Sequence, residues 1–122
     1  MKHTDLLIID DEHRFAEMLV RRLSLRGVTC CVRHDGQSGL EILSQKKFRL
    51  ILLDLQLPDI YGTEVLARIK KICAATPVII LTGHGSKKDR QECMALGANA
   101  FMHKPLDIDE LMSILDNIGA AS

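Results

Sequence analysis

Five short apolar runs punctuate the chain: "LLII" (6–9), "VTCCV" (28–32), "LILL" (50–53), "VIIL" (78–81) and "AFM" (100–102). Each has the length of a strand. The first, third and fourth are apolar throughout, the pattern of strands covered on both faces in a parallel sheet. Helical periodicity fills the intervals. Phe15, Met18, Leu19 and Leu23 share one helical face, and Gly27 is placed to stop that helix. Leu40 and Leu43 carry a shorter helix after "HDGQS". Leu66, Ile69 and Cys73 carry a third, with Pro77 restarting the strand. Ile108, Leu111, Ile114, Leu115 and Ile118 carry the last, with Asp107 as its N-cap and Glu110 three residues later. The fourth interval, "SKKDRQECMALG", has apolar residues only near its end, before Gly97, so its helix is expected to be loosely anchored. The tail "GAAS" reads as a frayed end.

The order is (βα)×5. Parallel strands need crossovers, and crossovers are almost always right-handed, so an open five-stranded α/β sheet with helices on both faces is the economical solution. No linker, repeat or low-complexity tract divides the sequence, which is expected to form one domain over residues 1–122.

Composition narrows the function. Sixteen basic residues balance sixteen acidic ones, without the basic excess of a nucleic-acid-binding module. The cluster Arg21, Arg22 and Arg26 reads as a solvated helix face. No apolar run approaches the roughly 18 residues of a membrane span. The start "MKHTDLLIIDDE" lacks a signal-peptide core. The expected location is cytoplasmic, with no membrane insertion and no direct nucleic-acid contact. Cys30, Cys31, Cys73 and Cys93 show no CxxC spacing and read as free thiols or core fillers. His3, His13, His34 and His103 show no ligand spacing either and read as surface residues.

Chemistry gathers at the ends of the apolar runs. Asp10 and Asp11 follow the first, Asp54 the third, Thr82 the fourth, and His103, Lys104 and Pro105 the fifth. In a parallel sheet these positions share the carboxyl edge, where open α/β sheets bind ligands. Three carboxylates against one ammonium call for a cation, and an all-oxygen donor set suits Mg2+. Lys104 is a compact charge suited to a phosphoryl oxygen, Thr82 offers a hydroxyl, and Asp54 stands alone as a nucleophile for aspartyl-phosphate chemistry.

These residues together resemble the receiver domain of two-component response regulators over essentially the whole chain, in its single-domain, chemotaxis-regulator-like form. The resemblance rests on Asp10-Asp11, on Asp54 within "LLDLQLPDIYG", on Thr82 in "VIILTGHG", and on "GANAFMHKP" ending in Lys104-Pro105. It implies a flavodoxin-like doubly wound sheet of strand order 2-1-3-4-5. It implies that Asp54 accepts a phosphoryl group from a histidine kinase or a histidine phosphotransfer protein. Asp11 and Asp54 would hold Mg2+ directly, Asp10 mainly through water, and the backbone carbonyl of Gln56 would complete the set. Thr82 and Lys104 would hold the phosphoryl oxygens. Thr82 and Phe101 would form the switch, with the Phe101 ring turning inward as Thr82 moves; the competing reading of Phe101 is a core aromatic that never moves. Lys104-Pro105 would be a cis peptide. Gly83 would leave room for the phosphodonor, and His84, two residues after Thr82, would modulate water access. In "LPDIYG", Pro58 restricts the residue before it and Gly62 would permit a positive φ before the next helix. The output partner would be an effector protein or a second receiver copy.

Two rivals compete. A haloacid-dehalogenase-type phosphatase also uses an aspartate nucleophile, but its D-x-D motif here reads "DLQL", with Gln56 in place of the second acid. A phosphorylation-independent receiver would have lost an acidic, Thr or Lys position, and this chain keeps all of them. The expectation is a phosphoacceptor that assists its own phosphorylation and dephosphorylation without turning over an external substrate.

Overall fold

The computed structural model describes residues 3–121; Met1, Lys2 and Ser122 lie outside the described residues, as do the side chains of His3 and of residues 119–121. Ten elements alternate: β1 His3–Ile9, α1 His13–Ser24, β2 Cys30–Arg33, α2 Gly36–Ile42, β3 Lys47–Leu53, α3 Gly62–Ile72, β4 Val78–Thr82, α4 Lys87–Ala95, β5 Ala100–His103 and α5 Ile108–Ala121. The strands form one parallel sheet in the order β2-β1-β3-β4-β5. This is the flavodoxin-like arrangement that the family resemblance implies.

The unbroken apolar runs have a direct cause. Successive residues of a strand point to opposite faces, and here both faces are covered. Leu7, Ile9, Ile51, Leu53, Val78 and Ile80 pack into one layer with Val65, Leu66 and Ile69 of α3. Leu6, Ile8, Leu50, Leu52, Ile79 and Leu81 pack into the other with Leu19 and Leu23 of α1 and Leu111 and Leu115 of α5. Each such side chain contributes about 2 kcal/mol by leaving water.

β3 begins three residues before the "LILL" run. Lys47, Phe48 and Arg49 alternate exposed, buried and half-buried, so only Phe48 shows an apolar signal there. The last helix has the cap expected of it. Asp107 accepts from the backbone N–H groups of Asp109 and Glu110. The final helix runs through Ala121 rather than fraying at Gly119. Cys93 is the one buried residue of α4, and a capping box between Ser86 and Asp89 defines its start. The sparse apolar pattern of this helix thus corresponds to a single side chain given to the core.

Two glycines adopt left-handed backbone, Gly27 with φ 79° and Gly97 with φ 103°, each just past a helix end. Gly62 does not, contrary to the expectation for the "LPDIYG" turn. Its requirement is space, because a Cβ there would lie 2.4 Å from Leu55 Cα and 2.9 Å from the Asp54 carbonyl oxygen.

All four cysteines are free thiols. Burial is the main cause pushing the Cys30 and Cys93 thiols up to about 11, which keeps them protonated and unreactive at neutral pH. Among the described residues, no helix is long and apolar enough to cross a membrane.

Candidate functional site

The loops after β1, β3, β4 and β5 meet at the carboxyl edge of the sheet. Parallel register aligns the strand ends: Ile9 pairs with Leu53, and Thr82 with His103. The Asp54 N–H donates to the Ile9 carbonyl and the Lys104 N–H to the Thr82 carbonyl, so the chain fixes each residue before its side chain does anything. Asp10, Asp54 and Thr82 are buried, whereas Asp11 is exposed at the mouth.

The carboxylates of Asp10, Asp11 and Asp54 each place an oxygen within 4.8 Å of the others. Three carboxylates this close repel, and two of them have lost most of their water. Lys104 offsets part of this. Its side chain is 10% exposed, and its ammonium lies 2.8 Å from Asp10 Oδ2, 2.8 Å from Glu12 Oε2 and 3.3 Å from Asp54 Oδ2. Burial alone would lower the Lys104 pKa. Hydrogen bonds to Asp10 and Glu12 and the fields of Asp10 and Asp54 reverse that and raise it, so Lys104 stays charged. For Asp10, burial dominates and pushes its carboxyl up, against the opposing effects of Lys104 and the Glu12 N–H. A carboxylate cluster that one ammonium cannot neutralise, made of oxygen donors only, is a fitting site for a hard divalent cation.

Backbone groups orient the acids. Glu12 N–H donates to Asp10 Oδ1 at 2.9 Å, and Gln56 N–H donates to Asp54 Oδ1 at 3.3 Å. The Thr82 hydroxyl accepts from the His84 N–H at 3.2 Å. Gly83 borders open space, since a Cβ there would meet only Lys104 Cδ at 3.9 Å. His84 is exposed. The Lys104–Pro105 peptide is cis.

Of the two readings of Phe101, the buried ring fits the core aromatic. A ring that turns inward only when Thr82 moves would start outside the core. This ring is already buried, in the same layer as Val78 and Ile80, and its edge limits Gly85, where a Cβ would meet Phe101 Cζ at 2.8 Å and Thr82 Cγ2 at 3.1 Å. The loop after β4 therefore lies directly on both residues.

Several contributors are invisible in the sequence. Glu12 reaches Lys104 across 92 positions. Phe15, a helix core position by its spacing, lies under the Lys104 ammonium, 4.4 Å from ring centroid to Nζ. His34, a surface residue by its spacing, is half-buried and donates from Nδ1 to the Asp10 carbonyl at 2.9 Å, because that oxygen can only accept. Its ring stacks on His13 with centroids 3.7 Å apart. Asp59 accepts from the N–H groups of Gly36 and Gln37, and Tyr61 donates to Asp89 at 3.2 Å, so the loop after Asp54 is tied to both α2 and α4. No periodicity or spacing links residues this distant.

Comparison with known proteins agrees with the architecture. The family model for the response regulator receiver domain matches residues 6–116. The chain is 36% identical over 113 residues to the transcriptional regulatory protein YkoG of Bacillus subtilis, covering 93% of this chain and 50% of that protein. It is 34% identical over 110 residues to the response regulator ArlR of Staphylococcus epidermidis, covering 90% and 50%. Among solved structures, a CheY-like receiver domain protein from Methanospirillum hungatei superimposes with a TM-score of 0.90 at 25% identity, over 99% of this chain and 100% of that one. A response regulator from Burkholderia pseudomallei, solved with a phosphorylated aspartic acid and a calcium ion, gives 0.85 at 26% identity, over 97% and 70%. The chain belongs to the response regulator receiver domain family and so to the two-component signalling systems. It spans about half the length, or less, of the curated relatives it matches.

Proposed function

We propose that Asp54 takes a phosphoryl group from a histidine kinase or a histidine phosphotransfer protein, with Mg2+ bound, and that the modified domain alters its surface to control a partner. The observation that carries this reading is the buried Asp54 carboxylate, with one oxygen 3.3 Å from the Lys104 ammonium and its neighbours Asp10 and Asp11 within 4.8 Å. In the transfer, an Asp54 oxygen forms a bond to phosphorus as the donor's bond to phosphorus breaks, and the donor leaves with that electron pair. Lys104 supplies positive charge where the transferred oxygens gather, and Thr82 supplies a hydroxyl. Mg2+ would neutralise the carboxylates, held by Asp11, Asp54 and the Gln56 carbonyl, with Asp10 acting through water. Gly83 leaves an approach open beside Lys104, and His84 stands at the rim as a modulator of water entry. The phosphorylated relative from Burkholderia supports the chemistry.

The test is incubation with Mg2+ and a small acyl phosphate. One phosphoryl group per chain, labile to hydroxylamine, is the expected product. Sustained hydrolysis of a generic phosphomonoester would instead favour the phosphatase reading, since this domain is proposed to turn over no external substrate. The site of action is the cytoplasm. The partner that reads the signal is an effector protein or a second receiver copy.

Removing a formal charge from the cation site gives a sharper check. Asp11→Asn should weaken Mg2+ binding by about tenfold or more, because Asp11 is a proposed direct ligand. Equal affinity in a titration of parent and variant would discard the ligand set.

Coupling to the surface is proposed to run through Thr82. A phosphoryl group brings roughly 1.5 to 2 negative charges and three strong acceptors. Drawing the Thr82 hydroxyl toward them breaks its contact with the His84 N–H and disturbs the loop packed on Phe101. Helix α4 follows that loop. Thr82→Ala should therefore still bind beryllium fluoride but lose most of the amide shifts that the parent shows across residues 84–104. Identical shifts in both proteins would remove Thr82 as the coupling residue.

A further inference from the structure

We infer that Glu12 is a positioning residue that competes with the phosphoryl group for Lys104 and so sets how readily Asp54 is modified. The inference rests on the phosphoacceptor reading of Asp54. Its basis is a count of donors. A lysine ammonium has three N–H donors and no more. Lys104 has three carboxylate partners, Asp10 and Glu12 at 2.8 Å and Asp54 at 3.3 Å. The Phe15 ring lies against the same ammonium, 4.4 Å from its centroid. An incoming phosphoryl oxygen can therefore be held by Lys104 only if one carboxylate gives up its share.

Burial decides which one yields. The Asp10 side chain is 4% exposed, so losing its ammonium would leave a buried carboxylate short of a counter-charge, which is strongly unfavourable. Asp54 is the residue being modified and must stay beside Lys104. The Glu12 side chain is 56% exposed, and water can replace Lys104 there at little cost. Glu12 is also the most exposed of the three carboxylates that hold the ammonium. In the resting protein it therefore holds Lys104 with a bond that must open before the phosphoryl oxygens are fully engaged. The backbone fixes the arrangement, because Glu12 N–H is itself bonded to Asp10 Oδ1 and cannot drift from the site.

The experiment uses the whole chain, saturated with Mg2+, and follows beryllium fluoride binding by fluorine NMR and acyl-phosphate labelling by mass. Glu12→Gln removes the competitor. Glu12→Asp keeps the charge but withdraws the carboxylate by about one C–C bond, ~1.5 Å. Both variants should bind beryllium fluoride about two- to fivefold more tightly than the parent, the range expected for one exposed ion pair. Both should also label faster. A gain in Glu12→Gln with parent behaviour in Glu12→Asp would mean that Glu12 acts only through its field, and would overturn the competition. So would parent behaviour in both. A mere structural role for Glu12 is excluded by its opposite sign, since loosening the site would weaken binding. Failure of the parent itself to label would refute the reading of Asp54, a result distinct from a labelled parent whose Glu12 variants do not differ from it.

Discussion

Asp54→Asn abolishes phosphoryl incorporation from an acyl phosphate, and the mass of the variant stays that of the unmodified chain. The amide that replaces the carboxylate has nearly the same shape but no anionic oxygen to attack phosphorus. Loss of a nucleophile commonly lowers rates by on the order of 10⁴-fold or more, which places the variant below detection. The fold should survive the change. The new amide can keep its oxygen toward the Gln56 N–H, which lies 3.3 Å from Asp54 Oδ1 in the parent, and Lys104 retains Asp10 and Glu12 as partners. One negative charge also leaves a cluster whose acidic oxygens lie within 4.8 Å of each other. The thermal midpoint measured without divalent cation should therefore not fall. A hydroxylamine-labile adduct persisting in Asp54→Asn would place the phosphoacceptor elsewhere. A sharp drop in midpoint would show that Asp54 holds the fold as well as the chemistry.

What the sequence reveals about this site follows from where its information is stored. A strand buried on both faces must be apolar at every position, so "LILL" and "VIIL" announce a two-sided sheet before any pairing is known. The residues after such runs fall on one edge by topology alone. That is why Asp10, Asp54, Thr82 and Lys104 can be brought together from spacing. Glu12, Phe15 and His34 cannot. Their contributions depend on side-chain reach across the edge, and each also fits an ordinary surface or helix position. Lys47 and Arg49 hide the start of β3 for a related reason: near the amino end of the strand only one face is covered, and the continuous apolar signal gives way to alternation. The resting state of Phe101 is also not legible. An aromatic in an edge strand is compatible with both an inward and an outward ring, and only the packing of Gly85 over it distinguishes the two.

The loop from Asp54 to Gly62 shows how closely scaffold and chemistry are joined. Gly62 opens α3, and its N–H donates to the Leu55 carbonyl at 2.9 Å, folding the loop back on the strand that carries Asp54. The approach is too close for any side chain. A Cβ at Gly62 would lie 2.4 Å from Leu55 Cα and 2.9 Å from the Asp54 carbonyl oxygen, and both are backbone atoms that no rotamer change can move. Gly62→Ala must therefore push α3 away from β3 or displace the segment that holds Asp54. Either movement also disturbs Val65 and Leu66, which are fully buried one turn further along. The expected loss of stability is about 1–3 kcal/mol or somewhat more, the range for forced overpacking, read as a lower midpoint in urea. Mg2+ affinity should fall with it, because the Asp54 carboxylate moves relative to Asp11. Gly83→Ala is the matched comparison on the opposite side of the site. There the added methyl would meet only Lys104 Cδ at 3.9 Å, an ordinary contact, and stability should stay within about 0.5 kcal/mol of the parent. If Gly62→Ala unfolded at the same urea concentration as Gly83→Ala, the close packing of the loop against β3 would not be what holds Asp54 in place.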